Sequence, residues 1–156
     1  MPKKKITIFY IASIIFTLDR LSKYLILELS NYSEYFNFTV TSFLNLNLVF
    51  NKGIAFGLFS VDDKIYYNII TLIIIIITLV VLVMAFKTEG IEKYGFSMIF
   101  GGSLGNLFDR LYYSAVVDFI DIHINNIHWF IFNFADIFIS TGVILLILFE
   151  VFKKKT

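Results

Sequence analysis

The sequence predicts a mainly α-helical membrane protein with four transmembrane helices, a small extracytoplasmic β-sheet and a short interfacial helix. Of its 156 residues, 58% are hydrophobic and only 16% are charged, whereas soluble domains average about 45–50% apolar and about 25% charged residues. Four stretches approach the roughly 20 apolar residues that a membrane-spanning helix needs. Between them lie two segments in which polar and apolar residues alternate.

The composition also excludes several classes of function. The chain has no cysteine, which rules out thiol nucleophiles, thiolate metal sites and disulfide frameworks. With 13 basic and 12 acidic residues, the net charge is +1. Because nucleic-acid-binding domains carry a strongly basic surface, we expect no nucleic-acid partner. No sequence pattern indicates a metal, a nucleotide or an organic cofactor.

Four spans are expected, at about residues 6–27, 67–86, 94–112 and 129–152. The second is the clearest, since residues 69–86 contain no charged side chain. Lysines precede the first span, separate the second from the third and follow the fourth, which places both termini in the cytoplasm. The outer segments are then about 28–66 and 113–128, and residues 1–156 form a single integral membrane domain.

The outer segments carry the signals of a small sheet at the membrane surface. Residues 44–48 and 120–124 alternate strictly between apolar and polar side chains, the pattern of a half-buried strand. Asn125 and Asn126 suit a turn after the second of these strands, because Asn tolerates positive φ. Residues 61–64 are expected to open the short interfacial helix before the second span.

Charged side chains inside spans are costly and usually mark function. At about 1.5 Å of rise per residue, Asp19, Asp109 and Asp136 converge on one level in the outer leaflet. Asp19 and Lys23 are four residues apart on one helix face and are expected to pair, for which a purely structural role stays open. For Asp109 and Arg110, a buried packing pair is likewise an open interpretation.

Asp118 and Asp136 differ from these charges because neither has an adjacent basic residue and both stand among apolar neighbours. Two carboxylates that face each other can share one proton, which provides an acid and a base for activating water. From the residues alone, three interpretations remain open: a catalytic aspartic dyad, a proton- or ion-binding site, and a structural role. His123 and His128 lack a helical zinc-binding spacing, so no metal site is expected.

Five short blocks together resemble those of a known family. They are Asp19 with Lys23, NKGIAFG at 51–57, GGSLGNLFDR at 101–110, VVDF at 116–119 and FNFAD at 132–136. In this order and spacing, over essentially the whole chain, they resemble the bacterial lipoprotein signal peptidases (signal peptidase II), which are membrane aspartic proteases. The departures are small: Ile54 and Ser103 stand where alanine is often expected, and Arg20 where glutamine is common.

The resemblance implies that Asp118 and Asp136 are the catalytic pair. It implies a lipidated prolipoprotein as substrate, with the signal peptide removed by cleavage just before a diacylglyceryl-modified cysteine. Residues at matching positions would support the substrate or the pair: Asn51, Gly53, Asn106, Arg110, Asn133, Asp19 and Lys23. The implied setting is the bacterial cytoplasmic membrane, with lipid neighbours, an active site near the outer leaflet, a monomeric chain and no cofactor.

Two functions from other classes also remain open. A small proton-coupled transporter would use the same carboxylates, but it requires a polar path, and residues 69–86 offer only Thr71 and Thr78. A non-catalytic binder of lipidated peptides would hold a precursor tightly without cleaving it.

Overall fold

The computed structural model describes residues 3–33, 35–53, 64–124 and 127–153. Within these ranges the chain forms four helices and four strands, with these bounds: α1 Lys3–Ser30, β1 Asn37–Thr41, β2 Leu44–Asn51, α2 Lys64–Lys87, α3 Glu92–Tyr112, β3 Val116–Ile124, β4 Ile127–Phe132 and α4 Phe134–Lys153. Residues 61–63 of the predicted interfacial helix and the predicted turn at 125–126 lie outside the described residues.

The helices coincide with the four predicted spans, with one correction. Helices α2 and α4 are long and apolar enough to cross a membrane, with mean hydropathies of 3.4 and 2.2 over their most apolar windows. Helices α1 and α3, of 28 and 21 residues, overlap the other two predicted spans and carry buried charges; that they cross a membrane stays a prediction. The predicted start of the fourth span was wrong, because residues 129–132 pair with β3 as part of β4.

Helix α3 lies at the centre of the helical part and packs against α1, α2 and α4. Its glycines allow this close approach. A Cβ atom on Gly101 would lie 2.9 Å from the backbone of Ala12 in α1, and one on Gly102 would lie 2.6 Å from the carbonyl oxygen of Ala135 in α4. Small residues at such positions let helix backbones come together, which here brings both α1 and α4 into close contact with α3.

The four strands form one antiparallel sheet in the order β1-β2-β3-β4. The two strands predicted from alternation are confirmed and extend further than expected, as β2 and β3. They pair with Asn51 opposite Val116 and Val49 opposite Asp118, after a register irregularity that begins at Leu46. The exposed edge strand β1 and the strand β4 were not predicted. Residues 37–41 of β1 do alternate between polar and apolar side chains, so this signal was present but missed, whereas residues 127–132 of β4 are almost entirely apolar.

The sheet rests on the end of α1. Ile26 and Leu27 of that helix form a buried cluster with Leu48 of β2 and with Val117 and Phe119 of β3. Since successive side chains in a strand point to opposite faces, the residue between Val117 and Phe119 turns away from this cluster. That residue is Asp118.

Candidate active site

The structure brings Asp118 and Asp136 to a common cavity. Asp118 lies on β3 and Asp136 in the first turn of α4, and their exposed fractions are only 2% and 9%. Both line a cavity of about 240 Å³, together with Asn51, Asn106 and Arg110. Two carboxylates from different elements, a strand and a helix, therefore share one pocket.

The cavity has a polar floor and an apolar wall. Ile74 and Ile77 of α2 and Ile139 of α4 line it beside the carboxylates. Its lining has far more apolar than polar surface, as is usual for a binding pocket in which a few polar groups set the orientation of a ligand. The arrangement suits an apolar chain that presents one polar bond to the floor.

Three asparagine side chains donate to the two carboxylates. Asn51 Nδ2 lies 2.9 Å from Asp118 Oδ2, and Asn133 Nδ2 lies 2.6 Å from Asp118 Oδ1. Asn106 Nδ2 lies 2.8 Å from Asp136 Oδ1. Hydrogen bonds to a carboxylate are stronger than those between neutral groups, so these amides hold both carboxylates in defined orientations.

Backbone donors determine how two of these amides point. The Gly53 N–H donates to Asn51 Oδ1 at 2.8 Å, and the Asp136 N–H donates to Asn133 Oδ1 at 3.0 Å. A backbone N–H cannot act as an acceptor, so each amide oxygen is fixed and each NH₂ group must turn toward Asp118. The bond to Asn133 also caps the N-terminus of α4, and Asp136 Oδ2 accepts a reciprocal bond from the Asn133 N–H at 3.3 Å, as in a capping box.

The surroundings of Asp118 disfavour its charged form. Burial and the neighbouring carboxylate of Asp136 raise the pKa of Asp118 to about 7, against a smaller opposing effect of the hydrogen bonds from Asn51 and Asn133. For two interacting carboxylates such a value belongs to the pair. Near neutral pH the pocket can therefore hold one acid and one base.

Arg110 lies on another side of the same pocket. Its Nη2 donates to the carbonyl oxygen of Gly53, and its guanidinium stands 5.5 Å from the centroid of the Tyr67 ring. Its Nη1 is buried and has no hydrogen-bond partner among the described residues. The side chain therefore holds an unused donor at a residue that lines the cavity.

The remaining predicted site residues, Asp19 and Lys23, lie beneath the pocket. The expected pair is confirmed, with Lys23 Nζ 3.0 Å from Asp19 Oδ1. Lys23 also contacts Asp109 Oδ2 at 2.7 Å, and Arg20 contacts both carboxylates at 2.6 Å. The Asp109–Arg110 pair was left open, and no ion pair joins these two side chains in the described part of the chain: Asp109 turns toward α1 and Arg110 toward Gly53.

Sequence reasoning missed the part that Arg20 plays in this cluster. The sequence showed Arg20 only as a departure from the family pattern, and it predicted Lys23 as the one partner of the neighbouring Asp19. A contact between Arg20 and Asp109 could have been expected, because the charges of the first and third predicted spans lie at one depth. Such charges need mutual neutralisation when they are buried.

The chain is similar to known proteins over most of its length. Residues 11–152 match the family model described as signal peptidase (SPase) II. A lipoprotein signal peptidase of Pelagibacter ubique is 48% identical over 92% of this chain and 87% of its own length. One from Francisella tularensis subsp. mediasiatica is 38% identical over 98% and 96%.

Solved structures are similar as well. A bacterial membrane enzyme determined by the in meso method superimposes with a TM-score of 0.76 at 29% identity, over 96% of this chain and 90% of its own. A second gives 0.73 at 33% identity, over 91% and 90%. The chain therefore belongs to the signal peptidase II family, the membrane-bound peptidases that process lipoproteins.

Proposed function

We propose that the protein is an intramembrane aspartic endopeptidase that removes the signal peptide from diacylglyceryl-modified prolipoproteins, cleaving just before the lipidated cysteine. The observation that carries the proposal is the pair of buried carboxylates, Asp118 and Asp136, in one amphipathic cavity. Family membership supplies the lipoprotein substrate class.

The two carboxylates divide the chemistry between them. The ionised one takes a proton from a water molecule as the water oxygen attacks the scissile carbonyl carbon. The protonated one donates to the carbonyl oxygen, so that a neutral gem-diol forms. Breakdown passes a proton to the leaving amine of the lipidated cysteine and restores the pair to one shared proton. General acid–base catalysis of this kind contributes about 10²–10⁴-fold.

The other polar groups of the cavity hold the substrate backbone. A segment that is being cleaved must be extended, and at membrane depth its peptide groups need hydrogen-bond partners. The unused Nη1 of Arg110 is such a donor, while Asn51, Asn106 and Asn133 support the carboxylates. The apolar wall from α2 and α4 receives the signal-peptide helix.

The membrane placement follows from the same elements. All four helices cross the bacterial cytoplasmic membrane, with the lysine-rich termini inside and the sheet at the outer surface, because Lys and Arg prefer the cytoplasmic side. The site then lies near the outer leaflet, where the lipid of the modified cysteine anchors the scissile bond. The chain works as a monomer surrounded by membrane lipids.

The contacts do not favour a transporter. Thr71 and Thr78 are the polar side chains within residues 69–86 of α2, and both hydroxyls donate to carbonyl oxygens of their own helix, at 2.9 and 2.8 Å. They are therefore poorly placed to relay a proton or ion toward the inner surface.

Separate Asp118→Asn and Asp136→Asn variants test the proposal. Each purified variant is incubated with a diacylglyceryl-modified precursor, and the products are separated on a gel. Both variants should leave the precursor intact while the unmodified enzyme cleaves it. Asp121→Asn is the matched control, because Asp121 is equally buried on the same strand but has His128 as its hydrogen-bond partner and does not line the cavity.

The gel separates the alternatives. Substantial cleavage by either folded variant would refute the dyad. Tight binding of the precursor without cleavage by the unmodified enzyme would instead indicate a non-catalytic binder of lipidated peptides.

A further inference from the structure

Two buried carboxylates hold the backbone immediately before the two residues of the proposed dyad. The Ala135 N–H donates to Asp19 Oδ1 at 3.1 Å, one residue before Asp136. The Val117 N–H donates to Asp109 Oδ2 at 3.1 Å, one residue before Asp118. Each proposed catalytic residue therefore follows a residue whose backbone N–H is bound by a buried carboxylate of α1 or α3.

Two cations join these carboxylates to each other. Arg20 Nη1 lies 2.6 Å from Asp109 and Nη2 lies 2.6 Å from Asp19. Lys23 Nζ bridges the same two residues at 2.7 and 3.0 Å. We call Asp19, Arg20, Lys23 and Asp109 the ion cluster.

The ion cluster meets the conditions under which buried charges hold a fixed geometry. Asp19 and Asp109 have no exposed surface, and Lys23 is 1% exposed. Two positive and two negative side chains make the cluster neutral, which offsets the cost of removing them from water. The planar fork of Arg20 presents two donors in a fixed arrangement, so it sets how far apart the two carboxylates stand.

We propose that Arg20 is a positioning residue of the peptidase. Through Asp19 and Asp109 it sets the separation of the backbone segments that carry Asp136 and Asp118. This inference rests on the proposed aspartic dyad and adds a residue outside the cavity. A misplacement of about 1 Å between reacting groups can cost about 10²-fold in rate, so the separation affects turnover more than substrate binding.

Three variants of Arg20 grade the effect. Arg20→Met keeps a long side chain but removes every donor, and we expect kcat to fall at least tenfold while KM changes less than about twofold. Arg20→Lys keeps the charge but has one compact head, and Arg20→Gln keeps one amide. For both variants we expect a kcat between that of the unmodified enzyme and that of Arg20→Met.

A control variant removes an ion pair elsewhere on the same helix. Lys4 pairs with the exposed Glu89 at 2.6 Å, and neither residue approaches the cavity. Lys4→Gln should leave kcat, KM and the melting temperature nearly unchanged, because water screens an exposed ion pair and such pairs contribute little to stability.

A distance measurement separates positioning from simple stabilisation. Because the chain has no cysteine of its own, the substitutions Ile124→Cys on β3 and Ile144→Cys on α4 give two specific attachment sites for spin labels. Both positions are exposed, at 57% and 56%. Arg20→Met should broaden or shift the distance distribution between the labels, in folded protein below its melting temperature. If Arg20→Met does not fold, Arg20→Lys takes its place in both measurements.

The outcomes distinguish this inference from the proposed function. Normal kcat and an unchanged label distance in a folded Arg20 variant overturn the positioning role, even when that variant melts earlier. If the Asp118→Asn variant stays active, the proposed aspartic dyad is refuted. Reduced kcat with altered label distance, alongside inactive Asp118→Asn, supports both.

Discussion

Lys23 Nζ lies 2.9 Å from the side-chain oxygen of Asn106, and this contact determines which way the Asn106 amide points. A lysine ammonium has donors only, so the amide oxygen must face Lys23. The NH₂ group then faces Asp136 Oδ1 at 2.8 Å. A buried cation outside the cavity thus orients a donor inside it.

The first prediction concerns that donor. Asn106→Ala should lower kcat about 10–100-fold, because a hydrogen bond to a charged group is worth about 1.5–3 kcal/mol and about 1.4 kcal/mol is a factor of ten in rate. Steady-state cleavage of a lipidated precursor measures it. Ser97→Ala, a buried polar change elsewhere on α3, is the control. An Asn106→Ala enzyme with normal kcat would contradict the role of this amide.

The second prediction concerns pH. The raised pKa of Asp118, about 7, means that the pair keeps its proton below this pH and loses it above. Because the proton is needed for the carbonyl oxygen and the leaving amine, kcat/KM should fall with rising pH, tenfold per unit well above pH 7. A profile from pH 5.5 to 9 in detergent checks this. Asp121→Asn should retain the same descending limb, and a flat profile up to pH 9 would exclude the assignment.

The third prediction concerns the contact between α1 and α3. A Cβ atom on Gly105 would lie 2.5 Å from Asp19 Oδ2 and 2.9 Å from its Cγ. Gly105→Ala should therefore destabilise the fold by about 1–3 kcal/mol, the usual cost of overpacking, and reduce activity through the displaced Asp19. Thermal unfolding in detergent measures the first effect. Leu111→Ala, 67% exposed on the same helix, should change the melting temperature far less.

The fourth prediction concerns Arg110. Arg110→Lys keeps the charge but cannot hold the Gly53 carbonyl oxygen and also offer a second fixed donor to the substrate. We expect KM to rise about tenfold with a smaller change in kcat, as for the loss of a contact made equally in the ground and transition states. Lys64→Gln, at the exposed start of α2, serves as the control. An unchanged KM would argue against substrate binding by Arg110.

Much of the fold was predictable because its signals are local. Apolar stretches gave the helices, and strict alternation at 44–48 and 120–124 gave two strands. The misplaced start of the fourth helix shows the limit of such signals. Residues 129–132 are as apolar as a span, and only their pairing with β3 makes them a strand.

The identity of the main site residues was predictable from the sequence, but their contacts with one another were not. Apolar surroundings and missing basic neighbours singled out Asp118 and Asp136, and the structure places both in one cavity. The partners of Asp109 stayed open, because adjacency to Arg110 in sequence says nothing about which way a helical side chain turns. Residues i and i+1 do not face each other on a helix.

By itself, the sequence determined that this chain belongs in a membrane, where its apolar stretches lie and which two carboxylates stand without a basic neighbour. Those properties depend on composition and short-range pattern. Only the tertiary structure decided that Arg20 and Lys23 join Asp19 to Asp109, and that these hold the backbone before Asp136 and Asp118. The physical reason is the close packing of α1 on α3, which brings charges about 90 residues apart in the sequence together so that they neutralise each other.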